Sequence, residues 1–117
     1  MGTEVLRRES FSIGQAIFRA GDAPRFAYLI QSGKVEVSAT HEGKDVALGT
    51  LKAGDMFGEM ALIDSQARSA TAIATEPTTC VVMTPLEFQK RLDDSDPFVR
   101  AMLRSLTSKL RKASGRQ

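Results

Sequence analysis

KVEVSAT, residues 34–40, decides how the first two thirds of this chain is read. Val35 and Val37 fall on one face and Glu36 and Ser38 on the other, the two-residue period of a half-buried strand. Turn-forming groups with glycine flank it, SGK (32–34) before and EGK (42–44) after, with GDAP (21–24) and AGD (53–55) further out. Between these turns the sequence predicts strands near 4–9, 15–19, 26–31, 34–40, 45–51 and 55–57, then near 69–75 and 79–83. Short strands at intervals of roughly ten residues indicate an all-β sandwich, roll or barrel. A parallel α/β arrangement is excluded because nothing before residue 84 is long enough for crossover helices.

After residue 83 the period changes. Thr84, Pro85 and Glu87 form a capping-box pattern, with Thr as N-cap, Pro at the first helical position and Glu at the third. This predicts a helix over about 85–92, stopped by DDSDP, and a second over about 96–113. In the second, Val99, Leu103, Leu106 and Leu110 step by four, three and four, a narrow apolar seam. The seam is too short to specify a coiled coil alone, but it can cover a pocket or pair with its copy in a homodimer.

With 117 residues, 42% apolar and 26% charged, the composition is that of a single globular domain spanning 1–117. No apolar run approaches the roughly 20 residues of a membrane helix. The N-terminal MGTEVLRRES has no apolar segment of a secretory signal, and Leu6 breaks the myristoylation pattern. A lone cysteine, Cys80, set among apolar neighbours, reads as a buried, inert thiol. A cytoplasmic location is expected. The net charge of +2 is uneven: Arg100, Arg104, Lys109, Arg111, Lys112 and Arg116 follow Asp96 with no acidic residue among them. Cations suit a helix C-terminus, where the macrodipole is negative. One short helix without aromatic interleaving gives no nucleic-acid recognition motif, so direct nucleic-acid binding is not expected.

The chemistry is concentrated in FGEMALIDSQARSATA, residues 57–72. Gly58 permits a positive φ or a close backbone approach. Glu59 to Ile63 suit a single helical turn, whose first amides lack intrahelical partners and form an anion site matched to phosphate. DSQA (64–67) then turns the chain back, and Arg68 enters the next strand. A guanidinium opposite those amides would complete a phosphate cradle. Glu59 would repel phosphate but could accept hydrogen bonds from sugar hydroxyls, and a sugar beside a phosphate means a nucleotide. Taken singly, Glu59 reads as an acidic residue at a helix start and Arg68 as a solvated strand-edge charge; only the wider sequence favours the site.

That wider sequence resembles the cyclic nucleotide-binding domain family, over roughly residues 8 to 112. FGEMALIDSQARSATA is similar to its phosphate-binding cassette, F-G-E-x-A-L, a short loop, then R-[ASTV]-A. GQAIFRAGDAPRFAYLIQSGKVEV (14–37) resembles the family's first strands, with F-x-x-G-D and a G-x-V turn, and LGTLKAGDMFGE (48–59) its approach to the cassette. Ala67 departs from the pattern, standing where many members have Pro. The resemblance implies a mainly β fold: an eight-stranded, jelly-roll-like β-roll at about 4–83 with a short cassette helix and two C-terminal helices. It implies that Arg68 pairs with the cyclic phosphate and Glu59 binds the ribose 2′-hydroxyl. Amides of Gly58, Glu59, Met60 and Ala61 would bind ribose or phosphate oxygens, Ser69 would add a hydroxyl contact, and Val37 and Leu48 would wall the purine.

The function so implied is a non-enzymatic sensor of cAMP or cGMP, with cAMP favoured by Ser69 and no metal required. Movement of the last helix would relay binding to a protein effector or to the remainder of a longer chain. The alternative is a domain of the same fold that serves as an interaction module without binding nucleotide. A metal enzyme on a related β-roll would need clustered ligands, and His41, beside a turn, is the chain's one histidine.

Overall fold

The computed structural model describes residues 7–62 and 66–114. Eight strands form two four-stranded antiparallel sheets. The strands are β1 (Arg7–Phe11), β2 (Ala16–Phe18), β3 (Ala27–Ser32), β4 (Lys34–His41), β5 (Lys44–Lys52), β6 (Met56–Phe57), β7 (Thr71–Ala74) and β8 (Thr78–Met83). One sheet has the order β1-β8-β3-β6, the other β2-β7-β4-β5. A 3-10 turn, Glu59–Leu62, follows β6, and helices α1 (Pro85–Asp93) and α2 (Pro97–Ser114) complete the chain. The architecture is the expected β-roll. Of the expected first strand, residues 4–6 lie outside the described residues, as do residues 63–65 between the turn and Arg68.

Alternation builds the core. Tyr28 and Ile30 of β3 point inward while Leu29 and Gln31 face out, and Val35 of β4 has no accessible surface. Phe11, Phe57, Ala72, Ala74, Cys80 and Val82 join them between the sheets. Burial raises the Cys80 thiol to about 11, with the Glu9 charge adding to the effect, so it is inert near neutral pH.

Local chemistry sets the connections. The β4–β5 hairpin closes through Glu42 and Gly43, both at positive φ (54° and 79°), the backbone a two-residue primed turn requires. His41 at its tip is exposed. Register shifts between Val37 and Ser38, because Gly49 and Ala47 are their partners and Leu48 is the extra residue of a bulge. The capping box forms as expected: Glu87 N–H donates to the Thr84 hydroxyl (3.1 Å), and Thr84 N–H donates to the Glu87 carboxylate (2.8 Å). Arg7 of β1 reaches the same carboxylate at 3.1 Å and so ties the first strand to α1. At the start of α2 the Asp96 carboxylate accepts from Phe98 N–H at 2.8 Å. The seam is less covered than a core face: Leu103 is half-buried, while Val99, Leu106 and Leu110 are exposed. No helix among the described residues is long and apolar enough to cross a membrane.

Candidate functional site

The site begins at the end of β6. Phe57 points into the core, and Gly58 turns the chain with φ +70°. A Cβ on Gly58 would sit 2.9 Å from Arg68 Nη1 and 3.3 Å from both the Phe18 and Tyr28 rings. Glycine is required here twice over, by backbone conformation and by space. The expected single helical turn forms as a 3-10 turn, in which Ala61 N–H donates to the Gly58 carbonyl at 3.1 Å. Four residues are too few for an α-helical ladder, and the tighter turn leaves its first amides, Glu59 and Met60, without intrahelical acceptors. Ala61 is buried, while Glu59 and Met60 are half-buried.

Arg68 approaches from the other side. Its main chain is fixed to the turn after β2: Arg68 N–H donates to the Asp22 carbonyl (2.9 Å), and Gly21 N–H donates to the Arg68 carbonyl (2.8 Å). Its side chain returns over the glycine bend. Nη1 donates to the Gly58 carbonyl at 3.0 Å and Nη2 to the Phe26 carbonyl, while Cζ lies 4.0 Å above the Phe18 ring. Nε is buried and has no hydrogen-bond partner among the described residues. Burial lowers the guanidinium's affinity for its proton, and Tyr28, Asp22 and Glu59 oppose that effect electrostatically. Arginine stays charged under such a shift. The same burial raises the Tyr28 hydroxyl above its usual range, with Arg68 pulling the other way.

The structure thus brings Gly58, the Glu59–Leu62 turn and Arg68 together. Val37 is half-buried on β4, paired with Ala72 of β7, the strand that Arg68 and Ser69 lead into. Ser69 is exposed. Leu48 is 61% exposed on β5, two strands from β7. Sequence reasoning missed the residues that hold Arg68: Phe18 and Phe26 at the guanidinium, and the Asp22 turn at its main chain. The signal was present in F-x-x-G-D, whose first and last residues are Phe18 and Asp22, but only the fold shows both serving Arg68. Among the described residues no group of His, Cys, Asp and Glu is arranged to hold a metal ion.

A cationic side chain drawn over a glycine–acid bend at the mouth of a β-roll defines the class, and the chain belongs to the cyclic nucleotide-binding domain family, which matches residues 8–95. Among its relatives is the cyclic AMP receptor protein of Thermus thermophilus, 40% identical over 78 residues, which cover 66% of this chain and 36% of that protein. The cGMP-dependent protein kinase of Toxoplasma gondii is 43% identical over 79 residues, or 68% of this chain and 8% of the kinase. The chain therefore spans little more than a third, or less, of these curated relatives. Among solved structures, the half-site-occupied form of the EAL enzyme Bd1971 superposes with a TM-score of 0.86 at 34% identity, covering 94% of this chain and 99% of that one. The catabolite activator protein of Thermus thermophilus superposes at 0.78 with 32% identity, covering 93% and 52%. Bd1971 has also been solved in cAMP-bound and cGMP-bound forms, each 34% identical with TM-scores of 0.72 and 0.73, of which this chain covers 29%.

Proposed function

We propose that this domain is a non-enzymatic sensor of a cyclic purine nucleotide, with cAMP preferred to cGMP. The observation that carries the reading is the Arg68 guanidinium, held over Gly58 with a buried Nε–H lacking a partner among the described residues. A desolvated cation with an unused donor is matched to a singly charged phosphodiester. In this reading Arg68 binds the cyclic phosphate and Glu59 accepts from the ribose 2′-hydroxyl. Amides of Gly58, Glu59, Met60 and Ala61 contact ribose or phosphate oxygens, the exposed Ser69 hydroxyl adds a contact, and Val37 and Leu48 pack on the purine. Family membership and the cAMP-bound and cGMP-bound forms of Bd1971 support a ligand of this class. Preference for cAMP rests on Ser69.

The relay proposed is differential binding between two positions of α2. Its exposed Val99, Leu106 and Leu110 would close over the ligand or pair with a second copy, passing the change to an effector in the cytoplasm.

Calorimetric titration with cAMP and cGMP tests the reading directly. Both should bind, cAMP more tightly. On the wild type, 2′-deoxy-cAMP should lose about 1.5–3 kcal/mol, the scale of a hydrogen bond to a charged group. On Glu59→Gln the deoxy compound should lose little further. Absence of binding by either nucleotide would leave the interaction-module alternative.

A further inference from the structure

The geometry points to Phe18 as the residue that positions the Arg68 guanidinium for its anion, an inference that rests on the cyclic-nucleotide reading above. Three groups hold the guanidinium: the Gly58 carbonyl, the Phe26 carbonyl and the face of the Phe18 ring 4.0 Å below Cζ. All three are electrically neutral. Among the described residues no carboxylate lies within ion-pair distance of Arg68; Asp22 and Glu59 act on it only through the longer-range field. A cation fixed by carboxylates would have its charge spent. One fixed by carbonyl dipoles and a π face keeps that charge for an incoming phosphate, and the stacked plane pre-orders a side chain that would otherwise lose rotamer freedom on binding.

Phe18 is itself well placed to do this. It ends β2, pairs with Ala72 of β7, and leans on Tyr28 and Phe57 with ring centroids 5.9 Å away in each case. Tyr28 and Phe57 stack at 5.0 Å and are buried, so the ring beneath the guanidinium rests on a packed aromatic base. The ring edge also lies 3.3 Å from where a Cβ on residue 58 would fall, so the ring under the cation also crowds the glycine bend, as Tyr28 does.

The test is a double-mutant cycle between Phe18→Leu and Arg68→Ala, with cAMP affinity read by NMR titration, which reaches weak binding, and thermal melting as the check on folding. Phe18→Leu should weaken binding about 3- to 30-fold, the range of a partly desolvated cation–π contact. Phe18→Tyr, which keeps the ring, should stay within about twofold. In the Arg68→Ala background the leucine substitution should change affinity by less than about twofold, because its effect passes through the guanidinium. An equal loss in both backgrounds, or none in the wild type, overturns the role of Phe18. Wild-type affinity in Arg68→Ala would instead overturn the phosphate reading and leave the positioning question to a second readout. That readout is the Arg68 Nε–H resonance of the free protein, shifted upfield by the ring, which should move downfield in Phe18→Leu and hold in Phe18→Tyr. If it holds in Phe18→Leu, the ring does not position the guanidinium. Should the leucine variant unfold, Phe18→Met serves in its place.

Discussion

Two glycine turns in this molecule are built alike and finished differently. Gly33, between β3 and β4, has φ +102°, and a Cβ there would lie 2.5 Å from the Pro77 carbonyl. The group pressed against it is Thr78, 2% exposed and the one polar side chain among the described residues in the buried class. Its hydroxyl accepts from Lys34 N–H (3.2 Å) and shares its proton between the carbonyls of Glu76 (2.8 Å) and Lys34 (3.1 Å). The hydroxyl both donates and accepts, so neither role is left without a partner. Gly58 likewise receives a polar group at close range, but the guanidinium there leaves Nε without a partner among the described residues. A buried polar group with all its partners holds a fold together; one with a donor to spare costs stability unless something outside the chain completes it. The first turn is structure, and the second is the place proposed here for a ligand.

Removing each hub should separate the two. The largest effect expected is on binding: Arg68→Ala should cost about 2–5 kcal/mol of cyclic nucleotide affinity, the scale for truncating one partner of a buried charged contact. Its melting temperature should move little, since the lost bonds are offset by relief of a desolvated charge. Calorimetry and thermal melting on the same sample read both quantities. Thr78→Val should do the opposite, destabilising the fold by about 1–3 kcal/mol in chemical denaturation because Lys34 N–H loses its acceptor, while affinity in the folded fraction stays within about twofold. If either variant moved both properties alike, the distinction between a finished and an unfinished hub would fail.

The smallest effect probes a polar group completed at the surface. The Glu87 carboxyl is held below its usual range, chiefly by the Thr84 backbone hydrogen bond, with Arg7 adding to it. A depressed folded-state pKa contributes stability that is present above the unfolded value, about 4.3, and is lost as pH falls through the folded value. Glu87→Gln should therefore melt slightly below the wild type at pH 7, and the gap should close as the pH is lowered past that range. A gap that persists unchanged in acid would mean that the carboxylate charge contributes nothing to the cap.

What could be read from the sequence follows the range of the forces involved. The start of α1 was legible because its cap is written within four residues, Thr84 to Glu87. The eight strands were legible because alternation and turn residues are local signals, and observed bounds differ from expected ones by a few residues at most. The cassette turn was legible as a turn, though its 3-10 geometry was not, since length rather than propensity decides it. Arg68 was marked by its resemblance to a family motif, but its surroundings were hidden. Phe26 lies 42 positions before it, and only the pairing of β2 with β7 carries the Phe18 ring beneath the guanidinium. Likewise the 4-3-4 spacing on α2 found a seam, but spacing says nothing of cover, and much of that seam faces outward.

Ala72 has no accessible surface and stands directly across the ladder from Phe18. Phe18 packs against the core cluster that includes Ala72, and the ring carries the guanidinium 4.0 Å from its centroid. A single added methylene at that position would act as a shim beneath the ring, and so beneath the guanidinium proposed to meet the nucleotide. Sensitivity in this domain could then be retuned from deep inside the sandwich, by substitutions that an inspection of ligand contacts alone would score as silent.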